Sequence, residues 1–188
     1  MKKSTDIRVI KTQKALLSAL GELIQNKKLS CITITELCTK ANLNRNTFYY
    51  HYNNIYELLA EYKQLLMEEF SSVLDVNKNR TNRTVLDICK IIYRHPGFMR
   101  IIISPNCDLD YFDDIFGVAS EKARILMDKK HEIKNTADHL ACCYCNAGCV
   151  AVLREWVSEG MKESPEDIAE IISQASRKGP ISILFPEN

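Results

Sequence analysis

The chain has 188 residues, of which 46% are hydrophobic and 26% charged, with a formal net charge of +1 at pH 7, as is ordinary for a soluble globular protein. No run of about 18 apolar residues occurs, and the amino terminus lacks the apolar core of a signal peptide, which speaks against a membrane-spanning or exported chain. We therefore expect a cytoplasmic protein with no membrane association, whose eight cysteines are mostly thiols.

The amino-terminal segment is basic and begins with a predicted amphipathic helix. Residues 1–54 carry nine Lys and Arg residues against three Asp and Glu residues, whereas the remainder carries 16 against 21. Between Ile7 and Asn26 the apolar positions share one helical face: Ile10, Leu16, Leu17, Leu20, Leu23 and Ile24. Lys11, Gln13 and Lys14 are predicted on the opposite, polar face. A basic segment attached to an acidic body is expected where only that segment meets a polyanion.

Two short helices joined by a tight turn are predicted between Thr33 and Tyr52. Thr33 is expected to cap the first helix, with Glu36 reaching back to complete a capping box. The buried face of this helix is formed by residues at helical spacing, namely Ile34, Leu37, Cys38 and Ala41. Asn42 stands where the chain leaves the helix, because Asn tolerates the left-handed backbone conformation better than most residues.

The second short helix has the composition of a recognition helix seated in the major groove of DNA. Asn44 is expected to cap it, and Phe48 is its core-facing anchor. Tyr52, at the end of the helix, is also expected to pack in the core. The remaining side chains are polar or aromatic, which suits contacts with bases and phosphates.

Each candidate DNA contact has a predicted role. Arg45 is the candidate for a base edge, because a guanidinium group can bind guanine through two hydrogen bonds. Asn46 and Thr47 are predicted to read adenine or the thymine methyl group, and Tyr50 is predicted to meet either a base or a phosphate. Phosphate contacts are predicted for Thr33, Thr35, Tyr49 and His51. The capping residue Asn44 completes the set.

The rest of the chain is predicted to be helical. The expected helices span residues 55–76, 85–94, 98–103, 109–130, 135–161 and 165–178. The helix at 135–161 is apolar over much of its circumference, so it is buried on most sides or shared with a partner chain. Ser164 caps the last helix and Pro165 occupies its first position. No strand alternation occurs, so the predicted fold class is all-α.

Residues Thr33 to Leu59 resemble the DNA-binding domain of TetR/AcrR-type transcriptional regulators, above all at Asn44–Tyr52 and at the following Glu57-Leu58-Leu59. More weakly, Tyr144 to Trp156 and Gly160 to Pro165 resemble the penultimate and final helices of one branch of these regulators. The resemblance implies about nine helices arranged as an Ω-shaped homodimer. The last two long helices of each subunit would form a four-helix interface.

The same resemblance implies a domain organisation and a function. Residues 1–54 would form the helix-turn-helix DNA-binding domain, 55–76 a linking helix, and 77–188 the regulatory and dimerisation domain. The protein would be a sequence-specific transcriptional regulator that binds a double-stranded DNA operator, and most simply an effector-responsive repressor. The effector would be an unknown small molecule or a protein partner.

A ligand site is expected within the carboxy-terminal domain, as in this family. Its candidate lining residues are the large and polar side chains of the middle helices: Tyr93, His95, Phe98, Met99, Phe112, Phe116, His139 and Tyr144. These residues equally suit the core of a nine-helix body, and no ligand chemistry follows from them. No cofactor is expected. No nucleophile elbow, phosphate-binding loop or zinc-binding helix signature occurs, so we expect no enzyme activity.

Two positions depart from the family pattern. Asn42 stands where glycine is common, and it can adopt the same backbone sign at modest cost. Ile55 stands where a lysine that contacts phosphate is frequent. The positive end of the helix that begins there could supply the missing contact. The isoleucine also leaves open a co-activator of the same fold that acts through a protein partner.

Cys142, Cys145 and Cys149 share one stripe of the helix predicted at 135–161. Three thiols on a stripe could bind a soft metal or form a redox pair across a dimer interface. Free cysteine also packs as a small hydrophobic residue, which is the interpretation that we favour. A cysteine-based metal- or redox-sensing regulator is therefore an alternative to an effector-responsive one.

Overall fold

The computed structural model describes residues 7–76, 81–117 and 135–179, and every regular element within these ranges is helical, which confirms the predicted all-α class. The helices are α1 (Ile7–Leu23), α2 (Ile34–Lys40), α3 (Arg45–His51), α4 (Ile55–Val76), α5 (Thr81–Arg94), α6 (Pro96–Ile102), α7 (111–117), α8 (Thr136–Ser158) and α9 (Pro165–Lys178). A 3-10 turn lies at Leu29–Cys31. Among the described residues, no helix is both long and apolar enough to cross a membrane.

The bounds of α4 and α9 agree with the predicted ones, whereas α1 and α5 differ from prediction at one end and α6, which ends at Ile102 rather than at residue 103, differs at both. Helix α1 ends at Leu23 rather than Asn26, because the chain turns back and the Asn26 N–H donates to the Leu23 carbonyl. Helix α5 begins at residue 81, before the predicted 85. Helix α6 begins at Pro96 rather than at residue 98, because proline is well suited to the first helical position.

The apolar pattern of α8 predicts a helix that continues to residue 161, whereas the helix ends at Ser158. Gly160 and Met161 both have positive φ, 87° and 56°. Their N–H groups donate to the carbonyls of Val157 and Trp156, which is the hydrogen-bond pattern of a Schellman cap. The helix predicted at 109–130 is described only at 111–117, and its remainder lies outside the described residues.

The first compact unit contains α1, α2, α3, the part of α4 up to Leu66, and the segment His95–Tyr111 that includes α6. Helices α1 and α6 approach each other through two glycines. A Cβ atom on Gly97 would lie 3.0 Å from the Leu17 carbonyl carbon, and one on Gly21 would lie 2.9 Å from the Gly97 carbonyl oxygen. Backbone packing at this distance requires glycine at both positions.

Gln13 was predicted on the polar face of α1, and this prediction is wrong. Its side chain is only 4% exposed, and its Nε2 donates a 3.1 Å hydrogen bond to the Tyr52 hydroxyl. The amide and the hydroxyl therefore satisfy each other inside the core, which is the usual condition for burying polar groups. This bond ties α1 to the end of α3.

The second compact unit contains the end of α4 from Met67, α5, α7, α8 and α9 within the described ranges. Helices α5 and α9 pack along each other, and α8 packs against α9. The unit includes an aromatic cluster. The rings of Phe112 and Phe116 stack with their centroids 4.3 Å apart, and the centroids of the Phe116 and Phe70 rings are 5.8 Å apart. The predicted functional division after residue 54 does not coincide with these packing units, and it stays a prediction.

Candidate nucleic-acid interface

The amino terminus of α2 is fixed by the predicted capping box. The Glu36 N–H donates to Thr33 Oγ1 at 3.2 Å, and the Thr33 N–H donates to a Glu36 carboxylate oxygen at 2.9 Å. Lys27 Nζ lies 2.7 Å from the other carboxylate oxygen. These partners, first Lys27 and then Thr33, lower the pKa of Glu36 to about 2. Thr33 and Thr35 are both exposed there, as contacts with a phosphate would require.

The turn between α2 and α3 has the backbone conformation that the sequence predicted. Asn42 has φ of 53°, in the left-handed region. Its N–H donates to the Thr39 carbonyl at 3.2 Å, and the Leu43 N–H donates to the Cys38 carbonyl at 2.9 Å. This pair of bonds again forms a Schellman cap, so asparagine takes the place that glycine commonly holds.

Helix α3 is held in place from behind. The Asn44 side chain caps it by accepting a 2.8 Å hydrogen bond from the Asn46 N–H. Phe48 is fully buried and Tyr52 is only 3% exposed, so the predicted core positions of both rings are confirmed. Because Tyr52 also accepts the hydrogen bond from Gln13, a short helix is anchored at its start, middle and end.

The opposite side of α3 faces outward and carries the predicted DNA contacts. Tyr50 is 73% exposed and Tyr49 48% exposed. Asn44, Arg45 and Asn46 are also exposed, whereas Thr47 and His51 are half-buried. The Tyr50 ring meets the His51 ring edge-on at 4.9 Å. No predicted contact on α3 is therefore fully buried, and the nine predicted residues group at the start of α2 and on the outer face of α3.

The amino terminus of α4 is capped by its own side chains. The Asn54 side chain accepts a 2.8 Å hydrogen bond from the Glu57 N–H, and the Glu57 carboxylate accepts 2.8 Å hydrogen bonds from the N–H and side-chain amide of Asn53. Ile55 is 6% exposed and packs inward. A phosphate at this helix end would meet the Glu57 carboxylate. The Asn-x-x-Glu spacing is the sequence signal that would have predicted this cap.

The residues predicted to line a ligand site are divided between the two units and differ in burial. His95 Nδ1 lies 2.5 Å from the hydroxyl of the buried Tyr62, and the Tyr62 ring also contacts Phe98 at 5.1 Å. Met99 is fully buried in the same unit. The other five residues belong to the second unit, which holds buried Phe112 and Phe116 together with the exposed Tyr93, His139 and Tyr144. The ligand site stays a prediction.

The cysteine stripe of α8 lies at the boundary of the second unit's core. Cys142, Cys145 and Cys149 are all half-buried, and Cys149 Sγ lies 3.9 Å from Ser176 Oγ on α9. Burial raises the pKa of Cys149. Burial, followed by the neighbouring Cys149 thiol, raises the pKa of Cys89 on α5 to about 12. Within the ranges that the structure describes, no three potential metal ligands converge on one point.

The buried thiol of Cys89 predicts a loss of stability at alkaline pH. An unfolded chain releases this proton near pH 9, whereas the folded protein keeps it until about pH 12. Between these two pH values the unfolded state binds fewer protons than the folded state, so the free energy of unfolding falls as pH rises. One pKa unit corresponds to about 1.4 kcal/mol, which gives a total decline of roughly 2–4 kcal/mol.

Urea unfolding of the reduced protein from about pH 8 to about pH 11 measures this dependence. Cys89→Ala should make the decline shallower, because the variant has no thiol to titrate at this position. Cys31→Ala removes an exposed thiol and should leave the slope unchanged. Equal slopes for the wild type and Cys89→Ala would contradict the prediction.

Two short helices joined by a capped turn, with the second helix anchored from behind and polar outward, define a helix-turn-helix module. The family model TetR_C_8, described as a transcriptional regulator C-terminal region, matches residues 79–178. The chain therefore belongs to the TetR family of transcriptional regulators. The family assignment agrees with the resemblance seen in the sequence.

Relatives of known sequence or structure agree with this assignment. The chain is 23% identical over 168 residues to the protein named "Uncharacterized HTH-type transcriptional regulator YxbF" of Bacillus subtilis (strain 168). That match covers 83% of this chain but only 43% of the relative's length. Both the family model and this relative are described as transcriptional regulators.

Solved structures show the same fold. A transcriptional regulator of the TerR/AcrR family from Aquifex aeolicus VF5 superposes with a TM-score of 0.63 at 18% identity, covering 93% of this chain and 99% of that one. The dihydroxyacetone kinase operon activator DhaS gives a TM-score of 0.56 at 20% identity, covering 88% and 93%. At these identities the likeness concerns the fold alone.

Proposed function

We propose that this protein is a sequence-specific DNA-binding regulator that inserts α3 into the major groove of an operator. The observation that carries the proposal is the outer face of α3, where Arg45, Asn46, Tyr49 and Tyr50 are exposed on a helix fixed from behind by Phe48. A recognition helix needs both properties, because base contacts require exposed donors held in a fixed orientation.

The working unit in this proposal is a homodimer. Helix α8 carries large apolar side chains that are mostly exposed, with Leu140 60% exposed and Tyr144 65% exposed. Ile171 on α9 is 41% exposed as well. An exposed apolar surface of this kind is typical of a protein–protein interface. Two copies joined there would present two α3 helices to a quasi-palindromic site.

The proposed regulator is cytoplasmic and acts as a repressor whose DNA affinity is set by an effector, a small molecule or a protein partner. Such an effector can shift the protein between DNA-binding and released states only by its difference in affinity for the two. Because the ligand set predicted from the sequence is divided between the two units, each unit is to be searched separately for the effector site.

Selection from a pool of random DNA duplexes tests the proposal and identifies the operator in the same experiment. Purified protein should enrich a quasi-palindromic sequence with half-sites about one helical turn apart or a little more. The enriched duplex should then shift in a gel with the protein alone. Failure to enrich any sequence over several rounds, with a folded protein, would contradict the proposal.

Arg45→Ala should weaken binding to the enriched duplex and relax its specificity. A bidentate contact to guanine is worth about 1–3 kcal/mol of discrimination, and the dimer would make one in each half-site, so affinity for the enriched duplex should fall at least roughly 30-fold. The preference at one base pair of each half-site should decline with it. Titrations against the enriched duplex and against a shuffled duplex measure both effects. An equal loss on both duplexes would argue against a base contact.

A co-activator that acts through a protein partner is the second candidate function. It is favoured by the amino terminus of α4, where Ile55 packs inward and the Glu57 carboxylate occupies the helix end. One phosphate contact of the family is therefore missing, and the local charge is unfavourable to another. A co-activator of this type would enrich no sequence unaided and would protect DNA only with its partner present.

A further inference from the structure

The Arg45 guanidinium is not extended freely into solvent. Its Cζ lies 6.0 Å from the centroid of the Tyr49 ring, one helical turn further along α3. A guanidinium group at this distance from an aromatic face is attracted by the ring's electrostatic quadrupole. The two side chains stand at the i, i+4 spacing at which helix residues are neighbours.

The Tyr49 ring itself packs against the buried ring of Phe48. It meets the Phe48 ring edge-on, at a centroid distance of 5.8 Å and an interplanar angle of 89°. Phe48 is fully buried, whereas about half of the Tyr49 side chain is exposed. A ring packed on one side against the core and open on the other forms a fixed platform for a flexible side chain.

We propose that Tyr49 is a positioning residue that holds the Arg45 guanidinium ready for a base edge. This inference rests on the proposed DNA-binding function. A free arginine loses much rotamer freedom when it binds a base, and a side chain held beforehand loses less. The ring of Tyr49 would thus act on sequence discrimination through Arg45, in addition to any phosphate contact made by its hydroxyl group.

The two roles of Tyr49 separate because they use different atoms. Tyr49→Phe keeps the ring and removes the hydroxyl, whereas Tyr49→Leu removes both. A phosphate contact affects all DNA sequences alike, but positioning of Arg45 affects the base pair that Arg45 reads. Tyr56→Leu is the matched control, because Tyr56 is an exposed tyrosine of the same unit that lies outside the predicted DNA contacts and whose hydroxyl donates to Asp108.

The experiment uses the full chain and the duplex enriched by the wild-type protein, with every single-base-pair variant of one half-site. The base pair read by Arg45 is the one at which Arg45→Ala loses discrimination. Tyr49→Leu should reduce discrimination at that pair about twofold to fivefold, the range expected for an exposed cation–π contact. Tyr49→Phe and Tyr56→Leu should retain it. In a protein that already carries Arg45→Ala, adding Tyr49→Leu should reduce discrimination at that base pair no further.

Several results would overturn the inference. One is an equal loss for Tyr49→Phe and Tyr49→Leu across all duplexes, which would assign Tyr49 to phosphate contact alone. Another is a similar loss of discrimination at the same base pair in Tyr56→Leu. A wild-type protein that enriches no duplex would overturn the proposed function together with the inference, so the two failures are distinguishable. Thermal melts of each variant verify that these exposed substitutions leave the fold intact.

Discussion

Replacing both Leu140 and Tyr144 of α8 by glutamate is expected to convert the proposed dimer to monomers. Binding to the enriched duplex should weaken at least about a hundredfold. Both side chains are mostly exposed in the single chain, so the subunit should fold normally. In the proposed dimer, however, each would bury a charge against an apolar surface. A monomer would also lose the simultaneous engagement of two half-sites.

Light scattering or sedimentation at micromolar concentration measures the first effect, and titration of the enriched duplex measures the second. Leu140→Met with Tyr144→Phe is the matched control, since it keeps the surface apolar and of similar size. That control should remain dimeric and retain its affinity. A dimeric glutamate variant would place the subunit interface elsewhere, and a monomeric wild type would contradict the proposed homodimer.

Phe48→Ala should destabilise the first unit by about 3–5 kcal/mol, the range for removing a buried phenylalanine side chain. Phe48 is fully buried, and its ring contacts the rings of Tyr49 and Tyr52. The alanine variant would leave a cavity beneath α3 and weaken the packing that fixes the orientation of this helix. Denaturant unfolding monitored by circular dichroism measures the stability loss, and the variant should also lose binding to the enriched duplex.

Tyr50→Ala is the control for this experiment, because it removes a ring of similar size from the same helix. Tyr50 is 73% exposed, so its removal should change stability by less than about 0.5 kcal/mol. Similar stability losses in the two variants would mean that Phe48 contributes no more to the core than a surface residue does, contrary to its burial.

The local features of the fold were predictable because their signals lie close together in the sequence. The capping box of Thr33 and Glu36, the Asn44 cap and the positive φ of Asn42 each depend on residues within one helical turn. The outward face of α3 followed from the same short stretch, since one large apolar residue, Phe48, was enough to indicate the buried side.

The features missed depend on partners distant in sequence or on two backbones meeting. Gln13 looked like a surface residue because its partner, the Tyr52 hydroxyl, lies 39 positions away. The close approach of Gly21 and Gly97 likewise joins helices far apart in the chain. The residues predicted to line a ligand site were chosen by size and polarity, which do not indicate to which unit a residue belongs. The apolar pattern of α8 likewise did not indicate that Met161 would adopt a left-handed conformation.

A hydroxyl-radical footprint of the purified protein on its enriched duplex tests the central claim most directly. If α3 of each subunit enters a major groove, two protected segments should lie on one face of the duplex, about one helical turn apart or a little more. Arg45→Ala should lose this protection at protein concentrations that fully protect the duplex with the wild type. Absence of protection by the wild-type protein alone, or protection that Arg45→Ala leaves unchanged, would contradict the claim that the outer face of α3 reads DNA.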